Sequence, residues 1–117
     1  MIDIVNHPPH YNSHPSGIEA IELCAALDFC LGNAVKYLFR AGLKDPTLQD
    51  LKKAEWYLRH YASRHATATM ACTEQTLRVL RTEKEGSVLG DTLEALLLGR
   101  VNAALNRVVR EIAAVAP

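Results

Sequence analysis

Three histidines, at positions 7, 10 and 14, alternate with prolines in the stretch Asn6-His7-Pro8-Pro9-His10-Tyr11-Asn12-Ser13-His14-Pro15-Ser16-Gly17. Imidazole changes charge near neutral pH, so such a cluster can hold or move a proton where other side chains cannot. Proline fixes φ and removes a backbone donor, which predicts a stiff, extended polar arm ahead of the first helix. Sites are often built on such segments. A turn that merely docks is the plainer reading. A shared metal centre is not expected, because the intervening prolines work against a matched ligand geometry.

A second cluster is cationic and flat. Asn33, Lys36, Tyr37 and Arg40 recur three and four residues apart and fall on one side of a helix. Lys44 follows that helix, and Lys53 lies early in the next, which a short turn returns toward the same place. The expectation is a small basic concavity to which His7 and His10 add imidazoles. Tyr37, Trp56 and Tyr57 offer surfaces on which a base can stack. The plainer reading is amphipathic side chains covering the helix flanks. No glycine-rich phosphate loop of either common spacing occurs. No Ser/His/Asp or Cys/His order suggests a nucleophile, and no paired carboxylates suggest a magnesium cage.

The elements that position these residues follow from composition and periodicity. At 117 residues, 49% of them apolar, the chain can bury one core and is not a disordered polymer. Residues 1–66 carry seven basic and seven acidic side chains, and residues 67–117 six of each. This balance argues against a nucleic-acid or membrane partner bound through global charge. Cys24, Cys30 and Cys72 lack metal-ligand spacing and read as reduced thiols. No leader and no membrane-length apolar run is apparent, so a cytoplasmic location is expected.

The fold is expected to be all-α. Ser16 and Glu19 match a capping box and predict a first helix with Ile18, Ile21 and Ala25 on its apolar face. Asp28 and Phe29 end or bend it. A second helix is expected from Leu31 to Ala41, closed by Gly42, and a third from Leu48 to about Thr67, capped by Thr47. The two form an antiparallel hairpin. A helix over 73–84 follows. A long amphipathic helix then runs from Val88 to Val115, with Leu89, Leu93, Leu96, Leu97, Val101, Ala104, Leu105, Val108 and Ile112 along one stripe. That stripe exceeds what a short hairpin covers, so a homo-oligomer through the C-terminal helix is expected. The chain thus divides into a helical module with its His-Pro arm over 1–66 and a helical extension over 67–117.

The strings Val5-Asn6-His7-Pro8-Pro9-His10-Tyr11-Asn12, Gly17-Ile18-Glu19, Leu31 to Asp45 and Asp50 to Leu58 together resemble a small bacteriophage family long catalogued as a domain of unknown function. That family includes the early nucleotide kinase of a T-odd coliphage, which lacks the usual phosphate loop. The resemblance covers roughly residues 4–61. It implies a phage nucleotide-binding protein, a deoxynucleoside monophosphate kinase with a nucleoside triphosphate as phosphate donor and no tightly bound cofactor. By the same resemblance, His7, His10, Lys36 and Arg40 are the catalytic candidates. Asn6, Tyr11, Asn33, Tyr37, Lys44, Lys53 and Trp56 would hold substrate or phosphate. The rival reading is a non-enzymatic phage protein that inhibits a host protein or sequesters a nucleotide signal in host defence.

Overall fold

Gly17, at φ +78°, decides where the first helix begins. A left-handed residue cannot lie inside a right-handed helix, so the capping box expected at Ser16 and Glu19 does not form there. The Ser16 hydroxyl accepts instead from the Ile18 N–H, two residues on, at 3.1 Å. Helix α1 is the short segment Ala20–Cys24. The Glu22 carboxylate accepts the Glu19 N–H at its start, at 2.6 Å. Ile18 is buried just before α1, whereas Ile21 and Ala25, expected on the apolar face, are exposed. The computed structural model describes residues 14–41 and 47–117. The expected arm ahead of His14, the Gly42 cap and the turn over 43–46 lie outside the described residues.

Asp28 starts the next helix rather than ending the last one. Its Oδ1 accepts the Leu31 N–H at 2.7 Å. Helix α2 is Phe29–Ala41, two residues longer at its start than the periodicity suggests. Helix α3 is Thr47–Arg64 and stops three residues before Thr67. Thr47 is itself helical, and its hydroxyl donates to the Ala41 carbonyl at 3.0 Å, tying the end of α2 to the start of α3. The two helices run antiparallel: Arg40 meets Asp50 at 3.3 Å near one end, and His65 lies 3.8 Å from Asp28 at the other. Val35, Leu38 and Phe39 of α2 are fully buried, as are Leu51, Ala54 and Leu58 of α3.

Helix α4, Glu74–Thr82, is capped by Thr73, which accepts the Thr76 N–H. Ser87 caps α5, Val88–Leu97, by accepting the Gly90 N–H. The single helix expected from Val88 to Val115 is two helices, α5 and then α6, Val101–Val115. Gly99, at φ +73°, turns the chain between them. Its N–H donates to the Leu96 carbonyl at 3.2 Å, and that of Arg100 to Ala95 at 2.9 Å. These paired bonds satisfy the last carbonyls of α5 in a Schellman motif. A Cβ at position 99 would approach Thr69 Cγ2 to 3.0 Å and the Thr67 carbonyl oxygen to 3.2 Å. Arg107 of α6 donates to Asp91 of α5 and to the Gly86 carbonyl, each at 2.9 Å, and so fastens the returning helix.

The C-terminal apolar stripe is buried inside the chain. Leu93, Val101, Ala104 and Val108 are sealed in the same core as Leu31, Leu38 and Leu58, and only Leu97 and Ile112 stay half-covered. Helix α6 packs on α3, and α5 on α2. The surface that argues for self-association in the sequence is therefore covered within one chain. The fold is all-α, with no strand among the described residues. No helix among them is long and apolar enough to cross a membrane.

Candidate functional site

Phe29, Asn33 and Tyr37 stand one helical turn apart along one face of α2. Tyr57 of α3 lies against both ends of this row. Its ring is stacked on Tyr37, with centroids 6.0 Å apart and planes 10° apart, and meets Phe29 edge-on at 5.8 Å. Trp56 meets Tyr57 edge-on at 5.0 Å and packs against His60 at 4.3 Å. Phe29 and Trp56 are 73% and 58% exposed. The result is a series of ring contacts spanning two helices, with exposed rings at Phe29 and Trp56.

Among the described residues, two cations border it. Lys36 Nζ of α2 lies 4.6 Å from the centroid of Tyr37, and Lys53 Nζ of α3 lies 5.2 Å from it. The negative face of the phenol ring favours both positions. Neither lysine makes an ion pair among the described residues. The charge of Lys36 also reaches Cys24: burial pushes that thiol up to about 12, against the downward pull of Lys36.

Arg40 and Asn33 sit a turn to either side of Lys36 and Tyr37, and each is already engaged. Arg40 Nε faces the buried Asp50 carboxylate. Asn33 donates its side-chain N–H to the Phe29 carbonyl at 2.8 Å. Lys36, Tyr37 and Lys53 therefore meet directly, and Trp56 joins them through Tyr57. Asn6, His7, His10, Tyr11 and Lys44 lie outside the described residues. Phe29 is the residue that sequence reasoning missed. It reads as a helix end in sequence, yet its spacing of four and eight residues from Asn33 and Tyr37 is the signal of a shared face.

His14, the last histidine of the His-Pro stretch, is buried at 6% exposure. The Ser16 N–H donates to its Nδ1 at 3.1 Å, so the ring proton is assigned to Nε2. That nitrogen donates to Glu83 Oε2 at 2.6 Å, and Ser87 donates to Glu83 Oε1 at 2.8 Å. The ring packs on Phe39 at 5.2 Å. A largely apolar pocket of about 290 Å³ opens beside it, walled by Leu38, Phe39, Val88 and Leu89. Lys36 and Lys53 do not line it.

Residues 5–59 match DUF3310, a family described as protein of unknown function, and the match ends before the last turn of α3 and all of α4 to α6. No curated protein and no solved structure matches the chain.

Proposed function

We propose that the chain is a nucleotide-binding protein of phage origin, and a deoxynucleoside monophosphate kinase that works without a phosphate loop. The observation that carries this reading is the convergence of Lys36 and Lys53, from two helices, on the ring of Tyr37 in a partly exposed aromatic surface. Such a face offers a nucleotide both things it needs: flat rings for the base, and for phosphate oxygens two ammonium groups that make no ion pair among the described residues. Phosphoryl transfer requires alignment and neutralisation of spreading oxygen charge, with little covalent help from the protein. In this reading Lys36 and Lys53 supply that charge, and Arg40 orders the start of α3 through Asp50. His7, His10 and Lys44 are the further candidates. The site lies within the span matched to DUF3310.

The test is a titration of the purified chain with nucleoside mono-, di- and triphosphates, followed by a turnover assay with a triphosphate donor. Binding with transfer supports the kinase, and binding without transfer reduces the reading to nucleotide capture. No binding to any member of the panel overturns it. The exposed Phe29 and Trp56 are the observation that favours the rival, a non-enzymatic contact with a host protein.

A further inference from the structure

Two large rings stand exposed on the α2–α3 face, and they are not adjacent. Phe29 and Trp56 each meet Tyr57 edge-on, with centroid distances of 5.8 and 5.0 Å, and no ring contact joins the two directly among the described residues. Tyr57 thus separates two stacking surfaces instead of enlarging one. A single base covers about one such ring, so a mononucleotide leaves the second in water. Large exposed aromatic side chains at one place on a small protein mark a contact surface. The cations are placed for one linkage rather than a chain of them: Lys36 and Lys53 both sit at the Tyr37 ring, which is stacked on the same Tyr57.

We infer that this face takes two neighbouring bases joined by a phosphodiester, one on each exposed ring, with the linking and terminal phosphates beside Lys36 and Lys53. The inference rests on the nucleotide-binding part of the reading above and adds a two-nucleotide unit to the ligands of that face. It is compatible with a chain of zero net charge, because two local ammonium groups suffice for the few phosphates of so short a ligand. Stacking on aromatic side chains tolerates any base, so the site discriminates by length before sequence. The unit can come from a free dinucleotide or from two residues of a longer single strand, and the chemistry is the same.

Trp56 is the only tryptophan of the chain, so its fluorescence reports the site directly. The full chain is titrated with thymidine 5′-monophosphate, with the 5′-phosphorylated thymidine dinucleotide, and with a thymidine decanucleotide. The dinucleotide is expected to bind about tenfold more tightly than the mononucleotide, the value of one added base stack. Phe29→Ala is expected to bring the dinucleotide down to the affinity of the mononucleotide, while circular dichroism confirms an intact fold. Raising salt should weaken binding with a shallow slope of about −1.4, set by two neutralised phosphates on a single strand. Equal affinity for decanucleotide and dinucleotide identifies a single strand as a sufficient source. Binding of the dinucleotide alone assigns the site to the free ligand. Equal affinities for mono- and dinucleotide, or a tenfold gain that survives Phe29→Ala, overturn the inference and leave the nucleotide reading standing. Failure of all three ligands to bind overturns that reading too.

Discussion

His14 and Glu83 are 69 positions apart in the chain, and their side chains meet at 2.6 Å. The contact fastens the start of the described structure to the link between α4 and α5. Glu83 in turn receives the Ser87 hydroxyl, so one carboxylate organises both an imidazole and a helix cap. Glu83→Gln keeps the shape and removes the charge. The expected loss is about 1–3 kcal/mol, the cost of a weakened hydrogen bond to a charged group that is largely out of water. Urea unfolding measures it, and a midpoint equal to wild type would show that the pair adds nothing to stability.

Lys36→Ala combined with Lys53→Ala should lower nucleotide affinity at least about tenfold, since each ammonium makes a charge-assisted contact with phosphate. Helicity should hold, because both side chains lie over a ring on the surface of the helix pair. Calorimetric titration and circular dichroism on the same sample separate the two effects. Undiminished affinity would move the site elsewhere.

Arg40→Ala should behave differently. Asp50 is buried, and one of its carboxylate oxygens has no hydrogen bond among the described residues. Removing Arg40 leaves that charge in a poorly solvated place, with an expected cost of about 3 kcal/mol. Arg40→Ala paired with Asp50→Asn should recover part of the loss. A thermal melt of the single and double variants decides this, and additive losses would argue against a coupled pair.

Cys24 and Cys72 should differ sharply in reactivity. The thiolate is the nucleophile, and burial raises the Cys24 thiol from 9.0 to about 12. Cys72 is exposed. Iodoacetamide at about pH 8 should label Cys72 and spare Cys24, as read by peptide mass spectrometry. The native state holds the Cys24 proton more tightly than the unfolded chain does. Stability is therefore kept at neutral pH and falls as pH rises from 9 toward 12. Fast labelling of Cys24 in the native protein would contradict its burial.

The spacing of apolar residues revealed the helical class and the faces that α2 and α3 bury, because that pattern is a direct record of which side meets the core. It could not reveal the break after Leu97. Leu93, Leu96, Val101, Ala104 and Val108 keep helical spacing across the turn, since α5 and α6 face one core, and the stripe reads as continuous. The signal was Gly99 itself, a glycine just past a periodic run. Gly17 was the same kind of signal at the other end, hidden behind a sequence that fits a capping box. At the candidate site, Lys36, Tyr37 and Arg40 could be placed on one face from spacing alone. That Arg40 faces Asp50 could not, because ion-pair choice depends on the register between two helices.

One dihedral angle sets how this chain closes on itself. Without the left-handed turn at Gly99, α5 and α6 would run on as a single rod and carry Val101, Ala104 and Val108 away from their own α3. The nearest equivalent surface is then the α3 of another copy, and exchange of α6 between two chains restores every contact that the turn provides within one. Gly99→Ala carries the strain of a left-handed alanine, about 1–3 kcal/mol, and meets Thr67 and Thr69 besides. Light scattering should find the wild type at its single-chain mass of 12.9 kDa and the variant shifted toward entwined dimers. A variant of unchanged mass and stability would show that the turn is dictated from elsewhere. The backbone at residue 99 thus acts as a counter of chains, deciding whether one polypeptide or two are needed to complete a core.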